Sequence, residues 1–328
     1  MVFNYNSDYL QLFTCGGYGN IFEFNFPPGL DIVVPNILFK TMIEDTIESA
    51  ASIKQEILIN CILCKYYSHT INPYIIDVGI IDDNIAVSLP RFNMDFDDYS
   101  YHFANDHYIN NNTNRQTFYL RLLKELLLNL KQLHVLDILH KDIGLGNILI
   151  NVDENGYLKD VVISDFGVSL FGRKCQNVQI GSSSYETYKD EKMKMDFSMD
   201  IYAIACTMYL FASNVIGYDD DIYTCPPIYK LLKKNYEDII QECGYKFYYI
   251  LECMLRPKLL RPYIDQIITL IDSNDTDLKF EHIYNSNDFF TENFHIYVNN
   301  MVIKPSIDSM DNKLHYYFTN EQLDQLYN

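Results

Sequence analysis

Three oxygen-bearing side chains define the chemistry open to this chain. Asp142 and Asn147 lie in the run His140-Lys141-Asp142-Ile143-Gly144-Leu145-Gly146-Asn147, and Asp165 opens Asp165-Phe166-Gly167. A carboxylate outside any metal shell can accept a proton. An Asn and an Asp together offer the hard oxygens that Mg2+ prefers. A lone Asp-x-x-x-x-Asn would carry no information, because short polar residues are common in turns. The specific signal is His-x-Asp, the Asn and Asp-Phe-Gly occurring together in this order.

These residues need elements to hold them. Ile148–Val152 and Val161–Ile163 are short apolar runs separated by the turn Asp153-Glu154-Asn155-Gly156. An Asn-Gly step between β-rich runs signals a hairpin, since both residues tolerate positive φ. Asp142 and Asn147 then precede the first strand, and Asp165 follows the second. Upstream, Phe118, Leu122, Leu126, Leu130 and Leu133 recur at helical spacing, which predicts a helix over Thr117–Leu136 that feeds the loop.

The first third of the chain has a different rhythm. Apolar alternation flanks the cluster Gly16-Gly17-Tyr18-Gly19 and predicts strand, loop and strand over residues 9–26. Glycines let a backbone approach a polyphosphate and present its N–H groups; a hairpin turn with no ligand has the same appearance. Ile32–Val34 and Ile37–Phe39 are β-like, with Lys40 ending the second run, where it reads equally as a snorkelling strand-end lysine. From Ile43 to about Lys65 the pattern is helical, with Ile53, Ile57, Cys61 and Cys64 near one face. Tyr74–Gly79 and Asn84–Leu89 read as two further strands. The segment Asn93–Asn114 reads as a short helix and a surface loop.

Taken together, these motifs resemble the catalytic and metal-binding loops of the eukaryotic-type protein kinase superfamily. The resemblance covers about residues 9–271 and implies an α+β, bilobal protein-kinase fold. A small β-rich N-lobe with one main helix would span 9–89, a hinge 90–92, and a larger, mostly helical C-lobe 93–271. Residues 272–328 are left as a C-terminal extension whose aromatic residues imply packing on the body. By the same resemblance, ATP and Mg2+ are the cofactors. Asp142 takes or orients the proton of the acceptor hydroxyl, and Asn147 and Asp165 hold Mg2+. Lys40 neutralises the α- and β-phosphates, while Thr14, Cys15, Gly16, Gly17, Tyr18, Gly19, Asn20 and Ile21 cover the nucleotide. Backbone groups of Ser88–Phe92 would meet the adenine. Glu56 is the carboxylate placed to pair with Lys40, since Glu44 and Glu48 follow the strand too soon; an exposed helical glutamate is the competing reading.

The chain also departs from the pattern. Thr14 stands where the first glycine is usual, Leu38 where a small residue meets adenine, and Asn60 at a position that is usually apolar. Lys141 replaces Arg and loses the bidentate fork. Gly144 replaces the lysine of Ser/Thr members, so a cation is missing unless Lys141, Arg173 or Lys174 reaches in. Residues 168–189 form the activation segment, in which Gly181-Ser182 resembles the substrate-docking Gly-Thr, but no Ala-Pro-Glu follows. That loss and Gly-Gly-Tyr-Gly-Asn-Ile-Phe are weakly similar to the casein kinase 1 and vaccinia-related kinase branch. Ser182, Ser183, Ser184 and Tyr185 could be phosphorylated or form a plain Ser-rich loop. Asp200 matches the residue that braces the catalytic loop, although a helix N-cap would look the same. The place of Ala-Pro-Glu falls on Thr187-Tyr188-Lys189, or on Glu186 if the loop is a little shorter; Arg261 matches the late-helix arginine, and in the second alignment Glu186 is its partner.

Bulk properties narrow the field. At 328 residues the chain can bury a large core, and no apolar run approaches the roughly 20 residues that cross a bilayer. Met1–Tyr5 lacks the basic and apolar regions of a signal peptide, so the expected location is intracellular, with cytoplasm or nucleus undetermined. The 8 cysteines are scattered and fit reduced thiols; Cys61 and Cys64, the one C-x-x-C, fit packing better than zinc or redox chemistry. A net charge of −19 argues against nucleic-acid binding and is compatible with basic protein partners. No membrane partner is expected. The leading expectation is an ATP-dependent kinase acting on Ser/Thr of protein substrates. A kinase-fold scaffold without phosphoryl transfer, and a small-molecule phosphotransferase of the choline or aminoglycoside kinase type, are the alternatives.

Overall fold

Alternation on either side of the glycine cluster builds a hairpin from β2 (Leu10–Cys15) and β3 (Gly19–Phe24). The computed structural model describes residues 3–5, 10–15, 19–25, 37–42, 47–66, 76–81, 84–105, 114–171, 197–217, 228–256 and 260–273. Gly16, Gly17, Tyr18, Ile32–Val34, Glu44, the expected activation segment from 172, Glu186 and the extension beyond 273 therefore lie outside the described residues, as do the side chains of Cys15, Glu48, Cys61 and Cys64.

The chain divides into two compact units. The first contains the described residues up to Arg91 together with Asp165–Ser169. Its sheet adds β4 (Ile37–Met42), β5 (Asp77–Ile81), β6 (Asn84–Pro90) and a short β1 (Phe3–Tyr5), in the order β1-β5-β6-β4-β3-β2. All pairs are antiparallel except β1 with β5. Three residues of β1 carry no readable period, and the sequence reading passed over them. Phe39, Ile81 and Ala86 form a buried cluster under Leu10, Phe22, Phe24 and Ile37. The helix α1 (Ile47–Tyr66) buries Ile53, Ile57, Ile59, Ile62 and Leu63.

Two boundaries in this unit differ from expectation. The strand expected over Tyr74–Gly79 starts at Asp77 and runs to Ile81. More consequentially, Lys40 does not end its strand. It pairs with Ile21 on one side and Val87 on the other, two residues before the end of β4, and is buried. A lysine inside a doubly flanked strand cannot snorkel to water, so it must find its counter-charge in the interior.

The second unit holds the described residues Phe92–Ser164 and Leu170–Ser273. Its helices are α2 (Phe96–Asn105), α3 (Arg115–Val135), α4 (Ser198–Ile216), α5 (Ile228–Lys234), α6 (Tyr236–Cys243), α7 (Tyr245–Met254) and α8 (Ile264–Asp272). The Asn114 side chain caps α3 by accepting the Thr117 N–H at 3.2 Å. The leucines of the predicted stripe, Leu122, Leu126, Leu130 and Leu133, are fully buried. Around them sit aromatic rings: Phe96 stacks on Phe211 at 4.4 Å, and Phe103 on Phe118 at 4.5 Å. By length and composition α4 could cross a membrane, contrary to the sequence estimate that no run comes close, but 78% of its window is buried inside the unit.

The predicted hairpin is present as β9 (Ile148–Val152) and β10 (Leu158–Ile163), with β7 (Met94–Asp95) beside β9. Its turn is longer than a two-residue Asn-Gly turn. Asp153 closes it by accepting the N–H groups of Asn155 and Tyr157, and Gly156 alone takes positive φ, at 82°. β8 (Ile138–Leu139) and β11 (Leu170–Phe171) form a further two-stranded antiparallel pair.

Candidate active site

The predicted site residues fall into two clusters, one in each unit. In the first unit the Lys40 ammonium lies 2.7 Å from Glu56 Oε2 and 3.1 Å from Asp165 Oδ1. Glu56 projects from the third turn of α1 and is 3% exposed, which rules out the exposed-glutamate reading. Burial opposes the charge on Lys40, but Glu56, and after it Asp165, more than offset burial and hold the lysine pKa above its ordinary value. Glu56 also shifts upward, because burial and the Asp165 charge outweigh the ammonium. One ammonium thus serves two carboxylates. The cluster carries a net negative charge, and the more exposed carboxylate is Asp165, whose side chain is 36% exposed.

The loop that presents Asp165 is held in an unusual conformation. Asp165 has φ of 62°, left-handed for a residue with a Cβ. The Gly167 N–H donates back to Asp165 Oδ1 at 3.2 Å, a local turn that stabilises this conformation. A Cβ on Gly167 would meet Ser52 Oγ of α1 at 2.2 Å, so the glycine is what lets the loop lie against the helix. Phe166 between them is buried. Asn60, one turn after Glu56, is buried and donates to the Glu56 carbonyl at 2.9 Å. Its polar group turns back on its own helix where an apolar residue would pack outward. In the β2–β3 hairpin Thr14 pairs with Ile21 and Cys15 with Asn20, with a bulge after Leu12.

In the second unit the loop before β9 is fixed by hydrogen bonds to its backbone. Asp200, 1% exposed near the start of α4, accepts the His140 N–H at 2.9 Å and the Lys141 N–H at 2.9 Å, and His134 Nε2 lies 2.9 Å away. The helix cap is Phe197, so Asp200 is a brace and not the cap. Burial alone would raise its carboxyl pKa, but the His134 hydrogen bond and charge and the contacts to His140 hold it below the ordinary value. The brace lets Lys141 sit at φ of 73°. His140 Nε2 donates to the Ser164 carbonyl at 3.0 Å, and its Nδ1 accepts the Asp142 N–H at 3.2 Å. These partners select the tautomer. Asn147 Nδ2 donates to the Asp142 carbonyl at 2.7 Å and to Asp142 Oδ2 at 2.9 Å, turning its amide oxygen away from Asp142. The Ser164 N–H and hydroxyl both donate to the Asn147 carbonyl, tying this loop to the residue before Asp165.

Sequence reasoning missed His134. It sits beside Leu133 at the end of α3, against the ring of Phe197 at 4.4 Å, and a lone histidine on an apolar face gives no local sign of its partner 66 residues on. Ser52 was missed for the same reason. Arg261 bonds to the carbonyls of Arg256 and Ser198 and stacks over Tyr202 at 4.5 Å; its proposed partner Glu186 lies outside the described residues.

A buried lysine paired to a helix glutamate and a left-handed Asp-Phe-Gly loop in the first unit, and an aspartate-braced His-x-Asp loop in the second, are arrangements of the protein kinase type. A family model described as protein kinase domain matches residues 82–258, more than half of the chain, so the chain belongs to the protein kinase domain family. The match contains Asp142, Asn147, Asp165 and Asp200 and leaves Lys40 and Glu56 outside it. The chain is also 31% identical over 116 residues to a Dictyostelium discoideum protein described as "Probable serine/threonine-protein kinase fhkB". That similarity takes in 33% of this chain and 10% of the relative, so the chain spans only a small part of that protein's length.

Proposed function

We propose that this chain transfers the γ-phosphoryl group of ATP to Ser or Thr hydroxyls of protein substrates. The observation that carries this reading is the Lys40 ammonium held between Glu56 and Asp165. A buried lysine is costly to desolvate, and a role in neutralising phosphate gives that cost a purpose. Family membership supports a protein substrate, and the relative's description supports the choice of Ser and Thr.

The residues present fit ATP and Mg2+. Mg2+ is ordinarily bound by one or two carboxylates with phosphate and water oxygens completing the shell. Asp165 in the first unit and Asn147 in the second are each of the oxygen-donor type that Mg2+ takes, and among the described residues no group of three or more His, Cys, Asp or Glu forms a cage of its own. When bound, ATP supplies the phosphoryl group that leaves ADP for the acceptor oxygen, and Mg2+ offsets the charge on the phosphates. Lys40, kept charged by two carboxylates, neutralises phosphate. Asp142, held by Asn147 and by the His140 contact, takes the hydroxyl proton.

Purified protein with Mg-ATP and mixed protein substrates, run beside Asp142→Asn, tests the reading. Removing the general base is expected to lower turnover by about 10²–10⁴-fold while nucleotide binding survives. Asp165→Asn is expected to lose Mg-ATP binding as well. Equal phosphate incorporation by the wild type and Asp142→Asn would sink the proposal. Nucleotide binding with no transfer to any substrate would favour the scaffold reading instead, to which Gly144 in the catalytic loop gives its support.

A further inference from the structure

Among the described residues, the His140–Asn147 loop exposes no cationic side chain. Between His140 and Asn147 the apolar side chains turn inward, with Ile143 1% and Leu145 8% exposed. Lys141, the one basic residue, is 8% exposed, and its N–H is held by Asp200. What remains outward is the Asp142 carboxylate, the Asn147 amide, Gly144 and Gly146. Among the described residues no lysine or arginine pairs with Asp142; its Oδ2 accepts only from Asn147.

Neither glycine is required by the backbone. Gly144 has φ −158° and ψ 175°, extended values open to any residue. Gly146 is exposed, and a Cβ there would meet nothing within 4 Å. The backbone would accept a side chain at Gly144, and at Gly146 there is open space for one, yet neither place carries one. Phosphoryl transfer draws on fixed positive charge beside the group in motion, so a loop with an open carboxylate and two bare positions leaves room for that charge to arrive with the substrate.

We infer that the preferred acceptor is a Ser or Thr flanked within about two residues by Lys or Arg, whose cation sits beside Asp142 where the loop has none. The inference rests on the phosphotransfer reading above. In the transfer the acceptor oxygen bonds to phosphorus as the bond from phosphorus to the ADP oxygen breaks. The hydroxyl proton passes to Asp142, and the flanking cation stands beside the developing charge. A chain charge of −19 also draws basic segments in solution. Each residue of an extended acceptor advances about 3.3–3.6 Å, so a lysine or arginine moved far along the peptide is carried out of reach of the same point.

The test uses the full chain with Mg-ATP and three matched peptides: a Ser acceptor flanked by Lys, the same peptide with the Lys moved far from the acceptor, and a neutral version. The wild type is expected to prefer the flanked peptide by on the order of tenfold in kcat/KM, with the preference shrinking as salt rises. Gly144→Lys is expected to raise turnover of the neutral peptide and to level or invert the preference. Gly146→Lys, at the open position, gives a second variant should Gly144→Lys misfold. Equal use of all three peptides by the wild type overturns the inference and leaves phosphotransfer standing; that is also the result if Arg173 or Lys174 supplies the charge. A preference unchanged in both lysine variants overturns it too, because recognition then lies elsewhere. Loss of transfer to every peptide with nucleotide binding retained removes the phosphotransfer reading, and this inference with it.

Discussion

Lys40 and Glu56 each take their counter-charge from the other. Each would be strongly disfavoured as a lone buried charge, and Asp165 adds a second carboxylate to the same ammonium. The upward shift of Glu56 makes the consequence of breaking the pair pH-dependent. In Lys40→Met the ammonium that lowers the Glu56 pKa is gone, while burial and Asp165, which both raise it, remain. A carboxyl whose folded pKa lies above its unfolded value contributes stability below the unfolded pKa and loses it as pH rises through the folded pKa. The variant is therefore expected to be near wild type in stability just above the ordinary carboxylate range and progressively weaker above it. Thermal melts of both proteins from about pH 5 to about pH 8 measure this. A stability gap that is constant or narrows with pH would show that Glu56 stays ionised without its lysine.

At the scale of elements, the loop His140–Asn147 is positioned by two helices that meet at one carboxylate. Asp200 comes from the first turn of α4 and His134 from the last turn of α3, and between them they fix the His140 and Lys141 backbone. Asp200→Asn keeps the size and places an NH2 group against a backbone donor, so a loss of about 2–4 kcal/mol is expected. The sign with pH is opposite to that of Glu56. A depressed folded pKa stabilises above the unfolded carboxylate pKa and loses that contribution as pH falls through the folded value. Denaturant unfolding should thus show a gap between wild type and variant that is full at neutral pH and closes in acid; a gap independent of pH would assign the loss to packing alone. The same elements show what the sequence made legible. The leucine period of α3, the β9–β10 hairpin and the order Lys40, Asp142, Asn147, Asp165 were readable, because helical spacing and motif order are local properties. The mid-strand place of Lys40, the His134–Asp200 contact and the Ser52–Gly167 approach were not, since each depends on which distant segment packs alongside.

Across the whole molecule, electrostatics set two opposing trends with salt. The chain carries 44 acidic and 25 basic residues for a net charge of −19, and self-repulsion at neutral pH weakens the folded state. Against this stand exposed ion pairs such as Lys124–Asp272, Lys131–Asp265 and Lys233–Glu252. Exposed pairs of this kind contribute about 0–1 kcal/mol each and are screened by salt. The inner pairs, Lys40–Glu56 and His134–Asp200, are sheltered from screening by burial. Raising ionic strength from about 0.01 M to about 0.1 M shortens the Debye length from roughly 30 Å to roughly 10 Å. That removes long-range repulsion among many like charges while costing a few short pairs only part of their small contribution. The repulsive term is the larger, so Tm is expected to rise by a few degrees with NaCl and to do so equally with KCl, as screening requires. A fall in Tm over that range would mean that the exposed pairs, and not the excess of carboxylates, govern the stability of this chain.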